Sequence, residues 1–299
     1  MKDVILHEVG PRDGLQMEKQ VVPTEKKLEW LRGLLGSGLD IVQVGSFVRA
    51  DKVPQMADSE ALFRALLAEK RPGAVLSGLV LNEKGLERAM EVGVEMICMG
   101  VSVSETHSRK NAGMSTEDAV RRIVAMGKSA VAAGKRVQVS VQSAFGCGFE
   151  GRVPEERVLG IVEAYAAAGL KNVSLADSAG HAHPAQVRRL FAEVLRRVPD
   201  AVCTAHFHDN YGLGMANIFA ARGVGVYTFE TSVAGLGGCP FTKAAAGNVA
   251  TEDLVFALQR AGERTDIRIG ALIEIAREVG AFFGREMTGR VQKIGVLSY

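Results

Sequence analysis

Short apolar runs rich in β-branched residues alternate with longer amphipathic stretches from one end of the chain to the other. The runs predict strands at Val4–Val9, Leu39–Val44, Ala74–Leu81, Glu95–Val101, Arg136–Val141, Asn172–Ala176, Ala201–Phe207 and Val226–Ser232. Helical spacing falls between them, at Glu25–Leu35, Ser59–Glu69, Lys84–Val92, Thr116–Ala133, Glu155–Ala168, Pro184–Val198 and Met215–Arg222. Thr24 and Thr116 precede acidic residues as helix starts do, and Pro184 suits a first turn. Glycines at 38, 93, 134, 169, 223 and 225 mark the returns from helix to strand.

Eight such strands, apolar on both faces, are the pattern of a (β/α)8 TIM barrel, an α/β fold. A doubly wound sheet competes, but the first strand leads into Gly10-Pro-Arg-Asp-Gly14 and not into a Gly-x-Gly-x-x-Gly turn. One domain over residues 1–299 is expected, with the barrel to about residue 265. Beyond it, 266–299 reads as a short C-terminal helical extension, with one helix at Ile269–Phe283 and a basic tail. No linker or low-complexity segment interrupts the pattern.

Composition narrows the function. Net charge is only +2, and one tryptophan with four tyrosines offers little for stacking on bases, so no nucleic-acid partner is expected. Cys98, Cys147, Cys203 and Cys239 are far apart with no Cys-x-x-Cys pair, which fits a reducing compartment. The first strand begins within a few residues of Met1, and no apolar run reaches membrane-spanning length. A soluble cytoplasmic protein with no membrane partner is expected.

In a barrel of this kind chemistry collects at the carboxyl ends of the strands. Strand 1 ends in Arg12-Asp13, and strand 7 ends in His206-Phe-His208-Asp-Asn. Two histidines two apart on a strand point the same way, here into the barrel. With Asp13 and Asn248 they form a nitrogen and oxygen donor set without thiolate. That set suits Mg²⁺ or Mn²⁺, with Zn²⁺, Co²⁺ or Fe²⁺ also compatible. Arg12 offers a cation for a carboxylate or an enolate oxygen, or else a surface ion pair. Asp177 is placed either to orient a metal-binding histidine or to cap the next helix. Cys147 is placed to line the mouth, Cys98 and Cys203 read as core, and His181 and His183 as loop residues without a role. Strand 8 runs into Ser232-Val-Ala-Gly-Leu-Gly-Gly-Cys239-Pro, with three glycines within four residues before a thiol. Such a loop is either a tight connection or a means of bringing Cys239 to a small molecule.

These segments together carry a family likeness. His7-Glu-Val-Gly-Pro-Arg-Asp-Gly-Leu-Gln16, Ser46-Phe-Val48, Val53-Pro-Gln-Met56, His206-x-His-Asp-x-Tyr-Gly212, Ala234-Gly-Leu-Gly-Gly-Cys-Pro240 and Gly247-Asn-x-Ala-Thr-Glu-Asp253 resemble 3-hydroxy-3-methylglutaryl-CoA lyase, of the metal-dependent lyases and Claisen-type synthases on this barrel. The likeness runs from about residue 4 to about residue 285. It implies a carbon–carbon lyase that releases acetyl-CoA and a keto acid such as acetoacetate from an acyl-CoA substrate. Asp13, His206, His208 and Asn248 would hold the divalent cation, Arg12 would stabilise an enolate oxygen, and Cys239 would take part in proton transfer. Asp13 thus belongs to the catalytic set as well as to the metal set. Gln43, Asp177 and Glu252 would stand around the substrate, and Lys19 and Asn111 would meet the CoA phosphates. The likeness further implies a homodimer.

The chain departs from that pattern at Gln43, where these lyases usually carry glutamate, in the loop from Ala176 to His181, and at Phe207. The charge around Arg12 is altered in consequence. A lyase for a different branched 3-hydroxyacyl-CoA is therefore an alternative. A synthase condensing acetyl-CoA with a 2-keto acid is another, although too little chain follows the barrel for the usual regulatory domain. A barrel binding metal and acyl-CoA without turnover is the non-enzyme reading, supported by Gln43 alone.

Overall fold

The computed structural model describes residues 4–69, 73–238 and 247–297. Eight parallel strands close on themselves: β1 (Ile5–Glu8), β2 (Ile41–Ser46), β3 (Val75–Leu79), β4 (Met96–Ser102), β5 (Arg136–Gln142), β6 (Asn172–Asp177), β7 (Val202–Phe207) and β8 (Thr228–Thr231). Each pairs with its sequence neighbours, and the ring closes where Leu6 and His7 of β1 meet Phe229 and Glu230 of β8. The expected α/β barrel is what forms, with strand ends shifted by one or two residues.

Outside the ring lie α1 (Thr24–Gly36), α2 (Ser59–Ala68), α3 (Glu83–Val92), α4 (Glu105–Ala112), α5 (Thr116–Ala132), α6 (Glu155–Ala167), α7 (Pro184–Arg197), α8 (Gly214–Arg222) and α9 (Thr251–Arg260). The C-terminal extension is α10 (Ile269–Phe283) followed by a single turn, α11 (Val291–Ile294). α10 packs on α1, on α9 and on the turn Val233–Gly235 after β8. Helix starts differ in detail from expectation. Ser115, not Thr116, caps α5 by accepting the Asp118 N–H, and the Thr24 hydroxyl donates to Asp58 at 2.9 Å. Gly93 ends α3 in the left-handed conformation the return to β4 requires (φ 92°).

Alternation along each strand separates two environments. Leu6, Val42, Leu76, Ile97, Val139, Val173, Ala205 and Phe229 are fully buried in the apolar layer. Most of the opposite positions are polar, with Met96 and Cys98 of β4 among the exceptions, and bonds among them cross the lumen. His7 of β1 bonds Ser77 of β3 at 2.8 Å, and Gln138 of β5 donates to Thr204 of β7 at 3.1 Å. Neither pair sits on neighbouring strands, so both bonds run through the barrel interior. The strands are thus apolar toward the helices and polar toward the axis, a difference from the expected apolar runs.

Candidate active site

The β1 strand ends in the tight helical turn Gly10–Gly14, where the Val9 carbonyl collects the N–H groups of Arg12, Asp13 and Gly14. The turn sits directly against the segment after β8. A Cβ on Gly10 would approach Glu8 Oε1 to 2.6 Å, and one on Gly14 would approach Leu236 Cβ to 2.6 Å. Glu8, wholly buried, joins the two segments. Its Oε1 accepts the N–H of Gly10 at 2.7 Å and of Val233 at 2.9 Å, and its Oε2 accepts the Thr251 hydroxyl at 2.5 Å.

Arg12 and Asp13 thereby face a cavity of about 270 Å³ at the carboxyl end of the barrel, shared with Gln43, Cys98, His206, His208, Glu230, Asn111 and Gly238. The Arg12 guanidinium donates from Nη1 to Asp13 Oδ1 at 2.7 Å and from Nε to Gln43 Oε1. Gln16 donates to the same Asp13 oxygen at 3.3 Å, and Asn248 Nδ2 donates to Asp13 Oδ2 at 2.8 Å. Asn248 is brought there by an isolated bridge to His208. Asp13, His206 and His208 present ligand atoms that all lie within 4.8 Å of one another, the one such group found among the described residues.

Electrostatics set each group in a definite state. Burial alone would raise the Asp13 carboxyl, but Arg12, the two histidines and the Asn248 hydrogen bond outweigh it and hold it well below the usual carboxylate range. Burial, helped by the neighbouring His206, lowers His208 to about 4, so its ring is neutral and keeps a lone pair. Burial also opposes a charged His206, yet its hydrogen bond to Glu230 prevails and its pKa lies above the ordinary value. Burial pushes the Cys98 thiol up to about 12, so this lining cysteine is an uncharged thiol.

A divalent cation fits these residues. His208 turns its Nε2 toward Asp13 Oδ2, 4.0 Å away, as a neutral imidazole facing an ionised carboxylate, and the buried Asn248 Oδ1 has no hydrogen-bond partner. A buried polar atom without a partner is costly, and an ionised carboxylate facing a neutral imidazole is a donor pair that a cation can join.

Several expectations are corrected. Of the two placements open to Asp177, the structure takes the one at the next helix: its two oxygens accept the N–H groups of His181 at 2.8 Å and Ala182 at 3.0 Å, bracing the loop into α7. Burial raises it to about 6. The carboxylate on His206 is Glu230, at 2.9 Å from Nδ1. Glu252 lies under the turn after β8, accepting the Ala234 N–H at 3.0 Å, and does not line the cavity. Cys147 is buried against Ser104 at 3.0 Å and lines no part of the site. Cys98, read as core, lines it instead. Lys19 is exposed and outside the cavity, whereas Asn111 is on its rim. Cys239 lies outside the described residues. The glycines before it do take the backbone states the loop was expected to need, with φ of 69° at Gly235 and 126° at Gly237. Glu230 and His7 were missed; an acid inside the strand that leads into the glycine-rich loop was the available signal.

A larger open cleft of about 770 Å³ lies between the loops after β5 and β6, beside His181, His183 and Arg152. Its Arg189 is paired with Glu155 at 2.6 Å, and it contains none of the unpartnered buried atoms. Size does not outweigh that, and the smaller cavity is the candidate site.

The closed parallel barrel with its polar cavity at the carboxyl end defines an enzyme of the α/β-barrel class. Within that class, the HMGL-like family model matches residues 3–279, and the chain belongs to that family. It is 35% identical over 289 residues to a hydroxymethylglutaryl-CoA lyase of Bacillus subtilis, covering 97% of this chain and 96% of that one. It is 37% identical over 292 residues to a 3-hydroxy-3-isohexenylglutaryl-CoA/hydroxymethylglutaryl-CoA lyase of Pseudomonas aeruginosa, covering 98% and 97%. The fold superimposes with a TM-score of 0.92 on an HMG-CoA lyase of Acinetobacter baumannii solved with coenzyme A and 3-methylmalate, at 35% identity and covering 99% and 96%.

Proposed function

We propose that this enzyme cleaves 3-hydroxy-3-methylglutaryl-CoA into acetyl-CoA and acetoacetate. Family membership supports the reaction class, and one observation carries its assignment to this cavity. A paired arginine, an ionised aspartate and two histidines converge in a space of about 270 Å³ at the barrel's carboxyl end. Asp13, His206, His208 and Asn248 are assigned to a divalent cation, Mg²⁺ or Mn²⁺, Asn248 through its unpartnered Oδ1. When bound, that cation would polarise the tertiary hydroxyl and a second substrate oxygen and lower the hydroxyl pKa.

Once the hydroxyl has lost its proton, the bond between its carbon and the thioester α-carbon breaks. The hydroxyl oxygen becomes the ketone of acetoacetate, and the bonding pair passes to the acetyl-CoA enolate. Arg12 is held by Asp13 and Gln43 so that its remaining N–H groups meet the enolate oxygen as charge develops there. Cys239 is assigned proton transfer to the enolate carbon, a role resting on the family likeness. Asn111, at the rim, is assigned to the CoA arm. A homodimer in solution is part of the proposal and is read by sedimentation velocity.

A second reading, cleavage of a different branched 3-hydroxyacyl-CoA, is favoured by Gln43, whose neutral amide accepts from Arg12 where the related lyases usually have a carboxylate. The printed name of the Pseudomonas relative covers two such acyl-CoA esters. Acetyl-CoA release from a panel of these thioesters with Mg²⁺ or Mn²⁺ decides. Fastest turnover of the methylglutaryl ester supports the first reading, a preference for a longer branch supports the second, and no turnover of any member overturns both.

A further inference from the structure

The strand register places Glu230 of β8 opposite His206 on one side and opposite His7 of β1 on the other. Its two oxygens are shared between them. Oε2 lies 2.9 Å from His206 Nδ1 and Oε1 lies 3.6 Å from His7 Nδ1. His7 is wholly buried, is anchored through Nε2 to Ser77 at 2.8 Å, and has no hydrogen-bond partner on Nδ1. An imidazole can bind a cation only through a nitrogen that carries no proton, so the group bonded to the other nitrogen decides which one is bare. Asp177 is occupied with backbone N–H groups and cannot serve.

We propose that Glu230 is a positioning residue for the cation site. It accepts the Nδ1–H of His206 and fixes the tautomer whose Nε2 is bare, while the buried His7 ring bounds the far side of the carboxylate. The proposal rests on the reading of Asp13, His206 and His208 as cation ligands.

Mn²⁺ alone is the probe. Its dissociation constant is read from the electron paramagnetic resonance of free Mn²⁺ for the full chain and for Glu230→Gln, His7→Phe and Asp13→Ala. Glu230→Gln is expected to weaken binding by about 10–100-fold with melting temperature little changed, and His7→Phe to weaken it less. Binding by Glu230→Gln within twofold of the parent overturns the proposal. Asp13→Ala tests the underlying reading separately. If it binds Mn²⁺ as the parent does, the ligand assignment fails. If it loses Mn²⁺ and Glu230→Gln does not, only the positioning role fails. The ¹⁵N-histidine spectrum of the metal-free parent, taken at a pH where His206 is neutral, decides even if Glu230→Gln does not fold. His206 protonated on Nδ1 supports the role, and protonation on Nε2 overturns it.

Discussion

The two ends of this barrel each concentrate buried charge and treat it in opposite ways. At the amino end, Arg264 donates to the Val4 carbonyl at 2.8 Å, to Asp40 at 2.5 Å, to the Gly38 carbonyl at 3.3 Å and to Asp266 at 3.0 Å. Asp40 also accepts the Leu6 N–H at 2.9 Å. None of these three side chains has a buried atom without a partner. At the carboxyl end, Asn248 Oδ1, His208 Nδ1 and His7 Nδ1 are all without one. A closed network fixes chain segments, here the entries to β1 and β2. An open one keeps bonding capacity for something that arrives. The same residue types therefore serve stability at one end and chemistry at the other.

Replacing one arginine from each end is the most direct way to break that comparison. Arg12→Gln keeps a hydrogen-bonding side chain but removes the charge facing the developing enolate. Turnover of the methylglutaryl ester is expected to fall by about 10²–10³-fold with melting temperature nearly unchanged, measured by steady-state kinetics and calorimetry. Arg264→Gln is expected to do the reverse. It takes the guanidinium away from Asp40 and from the Val4 and Gly38 carbonyls and should cost about 3 kcal/mol of unfolding free energy, a value lowered by the partial exposure of Asp266. Its kcat per folded molecule should equal the parent's. If Arg12→Gln instead melts early, or Arg264→Gln loses turnover while folded, the division between the two ends is wrong.

A finer contrast lies on the rim. Asn111 borders the cavity and Lys19 does not. Asn111→Ala is expected to raise KM for the acyl-CoA by about tenfold, the worth of one hydrogen bond to a charged group, and Lys19→Ala to leave it within twofold. Equal effects would place the CoA arm elsewhere.

How much of this was legible in the chain depends on whether the signal was local. The strands, the glycine returns and the common face of His206 and His208 all follow from periods of two or 3.6 residues, and they appear where expected. Helix α4 was missed because Glu-Thr-His-Ser-Arg-Lys-Asn-Ala carries no apolar stripe; only Ser108 is buried on it. That Glu230, and not Asp177, is the carboxylate on a metal-site histidine was hidden for a different reason. Which carboxylate meets a histidine on β7 is set by register between strands far apart in sequence, and no spacing within the chain encodes that. Arg264 was unreadable for the same reason, since its partners come from the segments before β1 and β2. The polar lumen was hidden because an apolar layer on one strand face is enough to make the whole run look apolar.

The segment between the two ends of the comparison supplies the mildest test. Glu252 belongs to neither network. One oxygen accepts the Ala234 N–H where the chain takes a left-handed turn (φ 62°), and Oε1 has no partner. Burial pushes its carboxyl up to about 8, with Asp253 and Glu8 adding to the rise. A carboxyl whose folded pKa is raised binds its proton more tightly when folded. Its contribution is therefore fully present below the ordinary carboxylate range and is lost as pH climbs toward 8. Glu252→Gln keeps the shape and the accepting oxygen without the titration. The difference in unfolding free energy between variant and parent should grow in favour of the variant from pH 6.5 to 8, by up to about 1.4 kcal/mol per pH unit. Groups that do not interact with Glu252 cancel in that difference, while Glu8, itself raised to about 7 by burial, is coupled to it, so the slope belongs to that pair. A flat difference would mean that the carboxylate is already ionised in the folded protein. The turn after β8 would then be held by charge, as at the closed end of the barrel, and not by a neutral acid.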